Sequence, residues 1–179
     1  ELQPGAGTAS AATLYIAAMI GGTVTQWPAG LISDKIDRRF VVAFLSTIAL
    51  VACIALYLTA GRVSFSITVM LSALWGAGAL SFYSVSASHA TDRTASGQIT
   101  QVMSGMLFVW AAGSVLGPLL TGAVADTKAG QPGVFLAVAI GYFVLAAANL
   151  SRLFVRGRPD ASQRTPFSNV ATTSVVQGK

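Results

Sequence analysis

Charge is what this sequence has least of. Of its 179 residues only 9% are Asp, Glu, Lys or Arg, while 54% are hydrophobic; a soluble domain carries about a quarter charged. That balance leaves too little polar surface to face water and points to a membrane. Cysteine is almost missing: Cys53 stands alone, which excludes a disulfide framework and a thiolate metal site. Histidine occurs once, at His89; a lone histidine seldom shuttles protons, so a loop or interface role is expected of it. With no Ser, His and Asp set, no phosphate-cradling glycine loop and no ligand cluster, the residues argue against an enzyme, a metal or a cofactor.

What the chain does have is long uncharged runs, at 2–33, 40–61, 63–91, 94–125 and 129–151. A helix rises about 1.5 Å per residue, so roughly 20 apolar residues cross a hydrocarbon core of about 30 Å. Every run is long enough. The fold class expected is therefore all-α, a polytopic membrane bundle of five transmembrane helices at about 10–32, 40–59, 66–87, 99–124 and 133–155. Residues 1–158 form the bundle in this reading, and 159–179, which carry Pro, Ser and Thr without apolar periodicity, form a poorly ordered tail. The chain opens on Glu1, not Met, as a piece or processed form of a longer protein would.

The basic residues give the orientation. By alternation Lys35, Arg38, Arg39, Arg93, Arg152, Arg156, Arg158 and Arg164 fall on one side, and only Arg62 and Lys128 on the other. Basic residues near span ends stay cytoplasmic, so the N-terminus is expected outside and the C-terminus inside. The net charge of +5 is accordingly orientation and lipid-headgroup contact, not a nucleic-acid footprint. The bilayer itself is the first partner implied.

Five charged residues crowd into Asp34–Arg39, between the first two expected spans. With about seven residues between them, these spans should be antiparallel neighbours joined by a tight turn. Asp34 is placed to accept from a nearby helix start or from an arginine of another helix. Arg38 and Arg39 could reach headgroups or carboxylates. A plain cytoplasmic anchor would need no aspartates.

Gly30, Asp34, Lys35, Arg38 and Arg39 resemble the Gly-x-x-x-Asp-Arg/Lys-x-Gly-Arg-Arg turn of the major facilitator superfamily. Asp37 stands where that family usually has Gly, a residue suited to a left-handed backbone. "GSVLGPLLTG", with Gly113, Gly117 and Pro118, resembles the family's Gly-x-x-x-Gly-Pro helix, where small residues let helices approach and proline permits a kink. "SHATDRTASGQ" resembles the loop before it, with Asp92 and Arg93 as an acid–base pair. The order of these pieces is similar to helices eight to twelve of a twelve-helix carrier. The implied partners are then a small solute and the missing N-terminal half of the same transporter.

The resemblance implies an alternating-access permease of the bacterial inner membrane, with the turn as a conformational latch. It also implies that the first, third and fourth spans line a substrate cavity and that the second and fifth are peripheral. Candidates for that lining are Thr23, Gln26 and Trp27, then Trp75 and Phe82, and Trp110. No acidic or basic residue lies in the interior of a span, Arg152 being close to the end of the fifth, so a proton-coupling group would have to sit elsewhere. The competing reading is a scaffold or sensor that keeps the fold without transport.

Overall fold

The computed structural model describes residues 6–91, 94, 96–128 and 130–155. They build five helices: α1 (Ala6–Lys35), α2 (Arg38–Thr59), α3 (Phe65–Thr91), α4 (Ile99–Ala125) and α5 (Gly130–Val155). One 3₁₀ turn, Ser96–Gln98, precedes α4, and no strand occurs among the described residues. Each helix is built on one of the uncharged stretches, since an apolar segment in hydrocarbon must satisfy its own backbone hydrogen bonds.

Local chemistry sets the breaks. Asp37 is the N-cap of α2, with an extended backbone. At the other end of α2 the chain turns through Gly61 at φ +69°. There Arg62 donates from its backbone N–H to the Thr59 carbonyl at 2.9 Å and from Nη1 to the Leu58 carbonyl at 2.7 Å. Both bonds satisfy carbonyls that a helix end otherwise leaves open. Gly130, at φ +61°, opens α5.

Among the described residues, four helices, α2 to α5, are long and apolar enough to cross a membrane. Five spans were expected. α1, with 30 residues, is also long enough to cross, and Gly21, Gly22, Thr23, Thr25, Gln26 and Pro28 make its middle the more polar one. It remains one continuous helix through Pro28.

The spatial order differs from the chain order. α3 lies between α1 and α2, α2 continues to α5, and α4 leans on α5 and on the edge of α3. α1 and α2, expected to pack as neighbours, touch little beyond their connecting turn. The reason is that α3 offers both of them a smoother surface. A Cβ on Gly76 would run into the Ala18 carbonyl, and one on Gly21 into the Ala73 carbonyl, so the backbones of α1 and α3 are in direct contact. Gly78 is two residues on, about 200° around the helix. A Cβ there would lie 2.5 Å from the Leu45 carbonyl oxygen and 2.7 Å from the Ala49 nitrogen of α2. Small residues permit this approach, and it is how helices gain contact where apolar burial gives no driving force. A buried hydrogen bond from Ser81 Oγ to the Gly22 carbonyl, 3.3 Å, joins α1 to α3.

α2 is thereby the most enclosed helix. Ala49, Ala52 and Cys53 are fully buried along it, and Val41, Val42 and Leu45 form a cluster with Ala29 of α1 and Val85 of α3. α4 is the opposite case: none of its residues is buried, and Leu107, Phe108, Val115, Leu119 and Leu120 point outward. An exterior this apolar belongs in lipid or against other helices.

Two glycine substitutions should separate these roles in this chain. Gly76→Val forces α1 and α3 apart and should cost about 1–3 kcal/mol, as overpacking does. Gly113→Val, where an added Cβ meets nothing within 4 Å, should leave stability unchanged. Thermal unfolding in detergent reads both.

Candidate functional site

The charged turn between α1 and α2 is held by an ion pair and by several side-chain hydrogen bonds. α1 winds through Ser33, Asp34 and Lys35 before it stops; Ser33 is buried and its hydroxyl donates to the Gly30 carbonyl at 2.7 Å. Asp34 therefore sits in the last turn of a helix, where the backbone dipole disfavours a carboxylate. Arg38 compensates. Its Nη2 donates to Asp34 Oδ1 at 3.1 Å, an ion pair that reaches from the first residue of α2 back to the end of α1. Because the pair straddles the helix break, it restrains the angle between two helices and not merely one surface.

Asp37 does a different job. Its Oδ1 accepts from the Arg39 backbone N–H at 3.0 Å, and its carbonyl accepts from Phe40 N at 2.9 Å and from Val41 N at 3.3 Å. Its φ is −63° and its ψ 122°, so no left-handed residue is needed at this place. The departure from the family's glycine is explained: here the position is a helix N-cap, for which Asp is among the best residues and Gly an acceptable one.

Arg38 and Arg39 are 3% and 2% exposed. They are held inside the turn and not spread among headgroups, one of the uses the sequence left open for them. Lys35 is the exposed cation of the three. With two aspartates and three basic residues the turn keeps a net positive charge of one.

The six cavity candidates separate. Thr23, Gln26 and Trp27 lie on an exposed face of α1, Trp27 at 62%. Trp110 is equally exposed on α4. Phe82 instead packs against the buried cluster of Ala29, Val41, Val42, Leu45 and Val85. Trp75 lines a cavity of about 290 Å³ between α1, α2, α3 and α5, together with Tyr15, Cys53, Leu56, Ser72 and Phe135. The described structure does not bring these six into one pocket. The helix expected to be peripheral, α2, contributes to that cavity through Cys53 and Leu56.

Of the other expected features, Gly113, Gly117 and Pro118 lie in a continuous α4, and an added Cβ on either glycine would meet nothing within 4 Å. Thr121 Oγ1 donates to the Gly117 carbonyl at 3.0 Å and to the Pro118 carbonyl at 3.2 Å. Asp92 and Arg93, the side chain of His89, and the tail from 156 lie outside the described residues. No group of three or more His, Cys, Asp and Glu residues placed to hold a metal ion occurs among the described residues. The residues that do bring helices together, Ala18, Gly21, Gly22, Ala73, Gly76, Gly78 and Ser81, escaped the sequence reading. Their signal was present: Ala18 and Gly22, and Ser72 and Gly76, are small residues four apart.

Long apolar helices, an apolar exterior and a charged inter-helix turn define an integral membrane protein of the polytopic helical class. The family model of the Major Facilitator Superfamily matches residues 3–178. The chain belongs to the Major Facilitator Superfamily, a family of membrane transporters that are generally not enzymes. Neither a curated protein nor a solved structure gives a match.

The cap assignment can be tested by comparing two variants. Asp37→Ala should lower stability by about 1 kcal/mol, whereas Asp37→Gly, the family's own residue, should cost only a few tenths. Denaturant titration in detergent distinguishes them; a left-handed position would instead make the glycine variant the more stable protein.

Proposed function

We propose that this chain is the C-terminal part of an alternating-access permease for a small solute, with α1 to α5 corresponding to helices eight to twelve. The observation that carries the proposal is the Asp34–Arg38 pair across the break between α1 and α2. A transporter of this kind works by rocking one helix bundle against another around a site near the bilayer midplane. An ion pair that restrains the angle at a helix junction can favour one of the two states, provided the pair is stronger in that state.

In this reading the turn lies on the cytoplasmic side of a bacterial inner membrane, with the C-terminus on the same side. The N-terminal six-helix half and the helix preceding α1 supply the remaining walls of the cavity. Thr23, Gln26 and Trp27 face that half, and so do Trp110 and the glycines Gly113 and Gly117 of α4. Two exposed polar side chains beside an exposed tryptophan support this placement of α1. Solute contact through such a face requires few polar groups among many apolar ones. Nucleic acid has no part in it.

The test is Asp34→Asn in the whole transporter, reconstituted in vesicles. A pair worth about 1 kcal/mol shifts a two-state equilibrium about fivefold, so solute flux should fall by a factor of that order while expression and unfolding temperature hold. An unchanged flux in the folded variant overturns the latch. The coding sequence upstream of Glu1 tests the architecture: it should carry a second half with its own Gly-x-x-x-Asp turn.

A further inference from the structure

A groove of about 300 Å³ opens between α1 and α2 beside the charged turn, lined by Thr25, Pro28, Ile32, Ile36, Phe40, Phe44 and neighbouring residues of the two helices. Apart from Thr25 no lining residue carries a polar side chain. The groove exists because α1 and α2 meet at their turn and then diverge, each held by α3 and not by the other. Its α1 wall is a single helical stripe, Thr25, Pro28, Ala29, Ile32 and Ile36; its α2 wall is Phe40, Val41, Phe44, Leu45 and Ile48. At 1.5 Å per residue these walls run about 12 to 17 Å from the turn, close to the half-thickness of roughly 15 Å of a hydrocarbon core. The groove is thus one leaflet deep.

The end at the turn is the charged one. Lys35 follows Ile32 by three residues and adjoins Ile36, which puts its exposed ammonium at the rim. Arg38 and Arg39 are buried, so Lys35 is the cation offered to an outside ligand at this mouth. Ile32, Phe40 and Phe44 stay half exposed along the channel, an apolar surface that only hydrocarbon can cover without leaving polar atoms unsatisfied.

We propose that this groove seats one acyl chain of an acidic phospholipid, with the phosphate at Lys35. The length of the groove, its apolar lining and the exposed lysine beside its mouth select that occupant. A bound lipid would brace α1 against α2 along the leaflet on the side of the turn, where the two helices share few contacts of their own.

The experiment is retention of lipid by the full-length protein from nanodiscs holding equal parts phosphatidylglycerol and phosphatidylcholine, counted by mass spectrometry after gentle delipidation. Phosphatidylglycerol should be retained about fivefold over phosphatidylcholine, the advantage of one lysine at an anionic surface. Lys35→Gln should level that ratio while total retention persists. Ile32→Trp, at an exposed lining position where folding is not at risk, should lower retention of both lipids. A photo-crosslinking amino acid at position 44 should label lipid. Equal retention of the two lipids by the unaltered protein, indifference to both variants, or cross-linking of position 44 to polypeptide would each overturn the proposal.

Discussion

The backbone contact between α1 and α3 is the constraint on which the remaining arrangement rests. Ala18 lies against Gly76, and Gly21 against Ala73; no side chain larger than a methyl group separates the two helices there. Once α3 has committed that face to α1, its opposite face is presented to α2, and Gly78 lets α2 approach as closely. α5 then packs on the far side of α2. The chain order α1, α2, α3 therefore becomes the spatial order α1, α3, α2, and the turn after α1 must span helices that diverge.

That divergence gives the charged turn its physical meaning. Two helices packed side by side would fix their own angle through side chains. Here α1 and α2 share few contacts beyond the junction, so the angle at their break depends on α3 and on the polar contacts of the turn itself. Asp34 and Arg38 link the two helices, and Asp37 caps the second. Burial of both arginines in a chain with so few charges concentrates its strongest electrostatics at one corner. The ion pair weighs more there than on an open surface, because water screens it less.

Much of this was legible in the sequence. Spans and their order follow from where charge is absent, since a bilayer punishes charge far more than it cares about the identity of the apolar residue. The Asp34–Arg38 link was legible as one of several open pairings, because a carboxylate four residues from an arginine across a short break has little room to avoid it. What the sequence did not reveal is which helices touch. Small residues four apart occur in α1, α3 and α4 alike, and only the geometry shows that the α1 and α3 sets meet while Gly113 and Gly117 face open space. Phe82 illustrates the same loss: an aromatic in a span is equally suited to core and cavity until its neighbours are known. Asp37 was hard for the opposite reason, because the family pattern encouraged a backbone conformation that the residue itself does not adopt.

α4 carries a consequence for how this sequence can change. No residue of it is buried within the described bundle, so its leucines, valines and phenylalanines answer to their surroundings and not to the packing of α1, α3, α2 and α5. Exchanges among apolar residues along Leu107 to Leu120 leave that four-helix core untouched. The same exchanges at Ala49 or Ala52 of α2 would force it open. Variation can therefore accumulate in this helix without the rest of the described bundle having to follow.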